Sequence, residues 1–308
     1  MKDFAGKVAF ITGGGSGAAL GQAKVFSEAG CKIVIADIRQ DHLDEAMDYF
    51  RKKNAAVHAI KLDITDRKAY AAAADETEKV FGTPELLFNT AGVNTFGPTD
   101  KATYDDWDWI LDVNLNGVLN GMMTFVPRMI KAGKGGHIVT TSSLGGFGGS
   151  PGCAPYSAAK AAVINMMESY RVSLEKYGIG VSVLCPANIN SRIYEAIKTR
   201  PAKYPNSGFI ETQETMETLA SIHQHGMDPV ELAQWVKKGI ENNDLYIIPY
   251  PESKAGLERY FKRIVDSVRP MDAQAEADAK KRTEALRGAA GSAPPMRARI
   301  FTQGKDEA

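Results

Sequence analysis

Lys7-Val8-Ala9-Phe10-Ile11-Thr12-Gly13-Gly14-Gly15-Ser16-Gly17 opens a unit that Lys32-Ile33-Val34-Ile35-Ala36-Asp37 closes. Residues 7–12 form a short apolar run that stops at glycines, as a fully buried strand does. Beyond Gly17, Ala23, Val25 and Phe26 recur at helical spacing until Gly30 ends the helix. Residues 32–37 then read as a second buried strand. Strand, helix, strand with tight turns is a parallel crossover unit, right-handed almost by necessity. The alternation continues with a charged helix over 40–53, a strand over 57–63, a helix over 66–81 and a strand over 85–89. A long helical stretch over 104–131, a strand over 137–143, a helix over 155–177 and a strand over 180–185 follow. A helix over 228–242 and a strand over 245–249 complete it. The pattern predicts a doubly wound α/β fold, with seven parallel strands and helices on both faces.

Two regions depart from this rhythm. Residues 190–227 replace a short connection with a polar stretch carrying Tyr194, Tyr204, Phe209 and Met216, long enough for a lid. It would hang over the carboxyl ends of the strands, where open α/β sheets bind ligands. Residues 1–250 are therefore expected to form one catalytic domain, with 251–308 as an extension. That extension begins amphipathic (Leu257, Tyr260, Phe261, Ile264, Val265), continues as a charged helix near 273–287, and ends rich in Gly, Ala and Pro. Packing or subunit contact is its expected role, with disorder at the very end.

The 37 basic and 37 acidic residues cancel, so no global field recruits nucleic acid or an acidic membrane surface. A small-molecule partner is expected instead. Cys31, Cys153 and Cys185 are an odd number without paired spacing, which fits a reducing, cytoplasmic setting. Residues 1–7 lack a signal-like apolar stretch, and no run is long enough to span a bilayer.

In a Rossmann unit the glycine turn brings backbone close to a pyrophosphate, whose charge meets free N–H groups at the helix start. Gly13, Ser16, Gly17 and Ala18 are the residues so placed, with Ala19 where a third glycine is common. Asp37 ends the second strand, where a carboxylate accepts from the adenosine ribose hydroxyls and repels a 2′-phosphate, favouring NAD over NADP. Arg39 argues the other way, since a guanidinium there could receive that phosphate. Further on, Tyr156 and Lys160 stand at i and i+4 of an expected helix. The ammonium then lies near the phenol and favours its ionised form, making it usable as an acid or base.

With these motifs the chain resembles the short-chain dehydrogenase/reductase family over about residues 5–250. Asp63, Asn89-Thr90-Ala91-Gly92, Asn114 within Asp-Val-Asn-Leu-Asn-Gly, Ser143, and Tyr156 with Lys160 carry the resemblance. It implies that Asp63 and Ile64 flank the adenine and that Asn89, Ala91 and Gly92 support the ribose. Pro186-Ala187-Asn188-Ile189-Asn190-Ser191 matches a family stretch usually beginning Pro-Gly and ending in Thr, with Ile189 and Ser191 holding the nicotinamide carboxamide. Tyr156 is then the proton acceptor for an alcohol whose hydride leaves for NAD. Ser143 bonds the substrate oxygen, and Asn114 holds a water that carries the proton from Lys160 outward. Singly, each residue also has a plain structural reading as a surface pair, a turn serine or a helix-bend asparagine.

Over nearly its whole length the sequence is similar to the Cα-dehydrogenases of bacterial lignin β-aryl-ether catabolism. Residues 142–147, 200–204, 221–226 and 246–251 carry that likeness. It implies oxidation of a benzylic secondary alcohol in an arylglycerol-β-aryl ether to the ketone. Tyr194, Tyr204 and Phe209 beside Phe147 could stack on a two-ring ligand, or could simply pin the lid. The expected substrate contacts are Ser143, Phe147, Tyr156 and Tyr194. His223 and His225 lack partners at ligand spacing, so no metal is expected. The family implies a homodimer or homotetramer, for which Met122, Met123, Val163, Met166 and Met167 could line a contact or belong to the core. Two other readings stay open: a reductase of a steroid, sugar or acyl ketone, and a non-catalytic dinucleotide-binding module.

Overall fold

A computed structural model describes residues 1–209 and 212–290. The Gly/Ala/Pro-rich end, where disorder is expected, lies outside the described residues. Seven parallel strands form one sheet in the order β3-β2-β1-β4-β5-β6-β7. They are β1 (Val8–Thr12), β2 (Lys32–Asp37), β3 (Val57–Lys61), β4 (Leu86–Asn89), β5 (Gly136–Thr141), β6 (Ile179–Leu184) and β7 (Tyr246–Ile247). The order reverses beside β1, so the crevice between the β1 and β4 carboxyl ends is the topological switch point.

Alternation along β1 explains why both faces are covered. Phe10 enters a core with Tyr70, Phe125 and Met167, beneath α3 (Arg67–Val80), α5 (Gly117–Ala132) and α6 (Ala154–Leu174). Ala9 and Ile11 enter the opposite core with Phe26, Phe50 and Val236, beneath α1 (Gly17–Glu28), α2 (Gln40–Lys52) and α8 (Pro229–Asn242). Buried on both sides, the strand can only be apolar throughout. Helices α1 and α8 meet closely at Gly21, where a Cβ would lie 2.1 Å from the Pro229 carbonyl oxygen.

Two expected elements differ in detail. The helical stretch over 104–131 divides into α4 (Tyr104–Leu111), a π-helical turn over Asp112–Asn116, and α5. Asn114 causes the break by donating to the Ile110 carbonyl, competing with the regular ladder. The region expected as a lid holds a 3₁₀ stretch over Ile193–Thr199 and α7 (Gln213–Gln224). Its Ile189 and Met227 form a parallel bridge, which closes the region at its base.

Met122, Val163 and Met167 are core residues, whereas Met123 is exposed. Met1–Ser253 is one compact unit, and a second begins at Lys254 and contains α9 (Lys254–Asp266) and α10 (Ala273–Ala290). Among the described residues no helix is long and apolar enough to cross a membrane.

Candidate active site

The glycine turn is built by what precedes it. Gly13 and Gly14 N–H both donate to the Ala36 carbonyl, folding the chain back over β2. Gly13 has φ +73°, and a Cβ there would sit 2.9 Å from Ala91 Cα, so only glycine lets the two loops meet. Thr12 fastens the same junction: its hydroxyl donates to the Phe88 carbonyl and accepts from Thr90 and Ala91 N–H. The sequence reading missed Thr12, although a hydroxyl residue ending a strand at a glycine turn is a legible signal.

Asp37 closes β2 nearly buried, its two oxygens accepting from Gly15 N–H at 3.1 Å and Arg39 N–H at 2.9 Å. Burial pushes its carboxyl above the usual range, while those two N–H groups pull it back. Ser143, two residues beyond β5, caps the next turn by accepting from Gly145 N–H at 3.0 Å, and its hydroxyl lies close enough to the Tyr156 phenol to favour the ionised form. Lys160 is buried, and its Nζ lies 5.4 Å from the Tyr156 ring centre and donates to the Thr141 carbonyl at 2.9 Å. In return Ser142 Oγ donates to the Lys160 carbonyl, tying α6 to the end of β5.

A cavity of about 410 Å³ joins these parts. Gly13, Ser16, Gly17, Ala18 and Asp37 line one portion, and Asp63, Ile64, Ala91 and Gly92 line its flank. Asn114, Ser143, Tyr156, Lys160, Pro186, Ile189 and Ser191 line the rest. A Cβ on Gly92 would lie 2.8 Å from Asn114 Oδ1 and 3.5 Å from Lys160 Nζ, which places those two groups together. An elongated cleft with a glycine turn at its middle, a carboxylate at one end and a phenol with an ammonium at the other fits a dinucleotide.

Several expected contacts fall elsewhere. Asn89 points into the sheet's interior, donating to Thr140 Oγ1, and does not line the cavity. Phe147 lies against Tyr246 and the core on the α6 side, outside the cavity lining. Tyr194 is also outside it, stacked on His223. The lid aromatics act as pins: the Tyr204 hydroxyl bonds Asp112, and Phe209 is buried against Gly97. The Asn114 amide is spent on main chain, accepting from Val93 N–H and donating to the Val93 and Ile110 carbonyls. Its side chain therefore staples the loop after β4 rather than reaching outward. Asn94, Trp109, Glu195 and His42 line the cavity without having been singled out, since no periodicity marks them.

The electrostatics also differ from expectation. Burial pushes the Tyr156 phenol up to about 12, only partly opposed by the Ser143 bond, and it depresses the Lys160 ammonium to about 8. Desolvation thus outweighs the attraction that i,i+4 spacing suggests, and the free protein holds Tyr156 neutral at pH 7.

The sequence profile described as short chain dehydrogenase matches residues 7–202. This chain belongs to the short-chain dehydrogenase family. The dehydrogenase is 59% identical to the C alpha-dehydrogenase of Sphingobium sp. (strain NBRC 103272 / SYK-6) over 305 residues, covering 99% of this chain and 98% of that one. Among solved structures it matches the apo form of LigD from Sphingobium sp. strain SYK-6 with 56% identity and TM-score 0.74, covering 87% of this chain and all of that one. It matches a Burkholderia phymatum short chain dehydrogenase/reductase in complex with NAD with 30% identity and TM-score 0.82, covering 88% and 99%.

Proposed function

We propose that this dehydrogenase oxidises the benzylic secondary alcohol of an arylglycerol-β-aryl ether to the ketone, with NAD as acceptor. The observation that carries the reading is one cavity running from Asp37, past the glycine turn, to Ser143, Tyr156 and Lys160. The 59% identity to a protein named C alpha-dehydrogenase, across essentially both chains, supports the substrate class.

NAD bound in the cleft supplies the hydride acceptor. Gly13, Ser16, Gly17 and Ala18 would receive its pyrophosphate, Asp37 its adenosine ribose, Asp63 and Ile64 its adenine, and Pro186, Ile189 and Ser191 its carboxamide end. Ala91 and Gly92 lie between these ends. Tyr156 takes the alcohol proton. It does so only as phenolate, a state favoured when a second positive charge joins that of Lys160 in the cavity. Ser143 donates to the substrate oxygen and steadies the charge developing there. Lys160, exchanging its proton at a pKa of about 8, would relay the proton taken up by Tyr156 to solvent through the cavity that both line. Asn114 holds the Gly92–Val93 segment against Lys160 rather than presenting its amide to solvent. A homodimer or homotetramer in the cytoplasm is the setting this reading carries with it.

The test is NADH formation from NAD⁺ with a guaiacylglycerol-β-aryl ether. Turnover is expected, and Tyr156→Phe should lower it about 10²- to 10⁴-fold. Absence of turnover with every benzylic alcohol, while NAD⁺ still binds, would remove the substrate assignment.

A further inference from the structure

The cavity corner beyond Asp37 is more acidic than one ribose-binding carboxylate requires. Arg39, whose guanidinium the sequence leaves as a receptor for a 2′-phosphate, is engaged from two directions. Its Nε donates to Asp41 Oδ1 at 2.8 Å, its Nη2 bonds the other Asp41 oxygen, and its Nη1 reaches Glu195 Oε2 at 3.4 Å. A planar fork whose Nε–Nη2 edge is closed on one carboxylate and whose Nη1 is bridged to a second must break one of these contacts to turn a full fork toward a phosphate.

Glu195 comes from the 3₁₀ stretch over Ile193–Thr199, not from the glycine-turn unit. The turn separates the two sources: a Cβ on Gly15 would meet His42 and Asp37, and one on Gly17 would meet Ser191. Glu195 Oε1 also binds Lys198 at 2.8 Å, and Oε2 faces His42 Nε2 at 3.8 Å. That His42 nitrogen is buried without a hydrogen-bond partner and is held in the cavity wall. A second bridge, Arg192 to Glu45 at 3.0 Å, ties the same stretch to α2.

We propose that Glu195 is a specificity-determining residue which, by engaging Arg39 and adding its charge to that of Asp37, excludes a 2′-phosphorylated adenosine. The inference rests on the dinucleotide reading of the cleft. A 2′-phosphate carries about −1.5 to −2 charges at pH 7, so it meets the Asp37 and Glu195 carboxylates that line the cavity, with Arg39 already held by Asp41 and Glu195. Neutralising Glu195 removes one like charge and releases Arg39 Nη1.

The experiment is calorimetric titration of the full chain with NAD⁺, NADP⁺ and adenosine 2′,5′-bisphosphate. In Glu195→Gln, affinity for the bisphosphate should rise about tenfold while NAD⁺ affinity changes by less than about threefold. Adding Arg39→Ala should cancel that gain, and Asp41→Asn alone should give a smaller gain in the same direction. Equal shifts for NAD⁺ and the bisphosphate, or a gain that survives Arg39→Ala, would overturn the assignment. If the unaltered protein bound no NAD⁺ at all, the dinucleotide reading itself would fall, and this inference with it.

Discussion

Lys160 sits in an environment that costs the fold stability and serves the chemistry. Its ammonium is removed from water, with one carbonyl of β5 as its hydrogen-bond acceptor, and burial depresses it from 10.5 to about 8. Between those two values the unfolded chain binds more protons than the folded one, so stability from this group rises with pH across that window. Below pH 8 the penalty is fully present. Lys160→Met should therefore stabilise the protein at pH 7 by on the order of 1–2 kcal/mol, once the lost bond to Thr141 is offset. The advantage should shrink above pH 8 and reverse before 10.5, the unperturbed value, where the penalty has faded and only the lost bond to Thr141 remains. Urea midpoints of the two proteins across pH 6–11 check this, and a variant less stable at pH 7 would contradict it. Turnover should be lost in the same variant, because Tyr156, lifted by burial to about 12, then loses the ammonium held 5.4 Å from its ring centre. A group that destabilises the fold and is nonetheless placed beside the phenol is what proton transfer at a buried site requires.

At the scale of elements, the insertion between β6 and α8 is held by an ion pair rather than left free. Arg200 binds Asp106 of α4 at 2.7 Å with both side chains at least nine-tenths buried, donates to the Tyr204 and Asn206 carbonyls, and lies over the Trp109 ring. Burial acts to raise the Asp106 carboxyl, but N–H groups of Thr103 and Gly208, with Arg200 and Ser207, hold it down at about 2. A depressed carboxyl contributes stability above its unfolded value near 3.8 and loses it as pH falls through about 2. Segment 200–209 should stay protected from hydrogen exchange at pH 5 and open between pH 4 and 2. Arg200→Met leaves Asp106 charged and buried, so it should cost about 3–5 kcal/mol. Because Trp109 and Thr199 line the cavity beside the anchor, this variant should raise KM for the alcohol more than it weakens NAD⁺ binding. Equal loss of both would mean the anchor supports the whole cleft.

Across the whole molecule, what was legible in the sequence was what periodicity and backbone chemistry dictate. The apolar runs at Val8–Thr12 and Lys32–Asp37 declare strands buried on both faces, and the turn at Gly13 declares a close backbone approach. The π-helical turn was half legible: an asparagine within a helix allows a bend, but the turn itself depends on Asn114 choosing the Ile110 carbonyl over solvent. Phe147 and Tyr194, expected at the substrate, pack on Tyr246 and His223 outside the cavity lining, because an aromatic gains as much from such a neighbour as from a ligand and composition does not tell these apart. The same view of the molecule separates binding from assembly. Among the described residues, both large cores and every residue lining the cavity lie within Met1–Ser253, whereas α9 exposes Ile264 and Val265 one turn after Tyr260. A chain ending at Ser253 should therefore keep its helical circular dichroism and bind NAD⁺ within about threefold of the full chain. If the extension serves subunit contact, light scattering should find the shortened chain in a smaller assembly than the full one. Loss of NAD⁺ binding with the sheet intact would instead make residues 254–308 part of the cleft's support, and an unchanged assembly would confine subunit contact to the first unit.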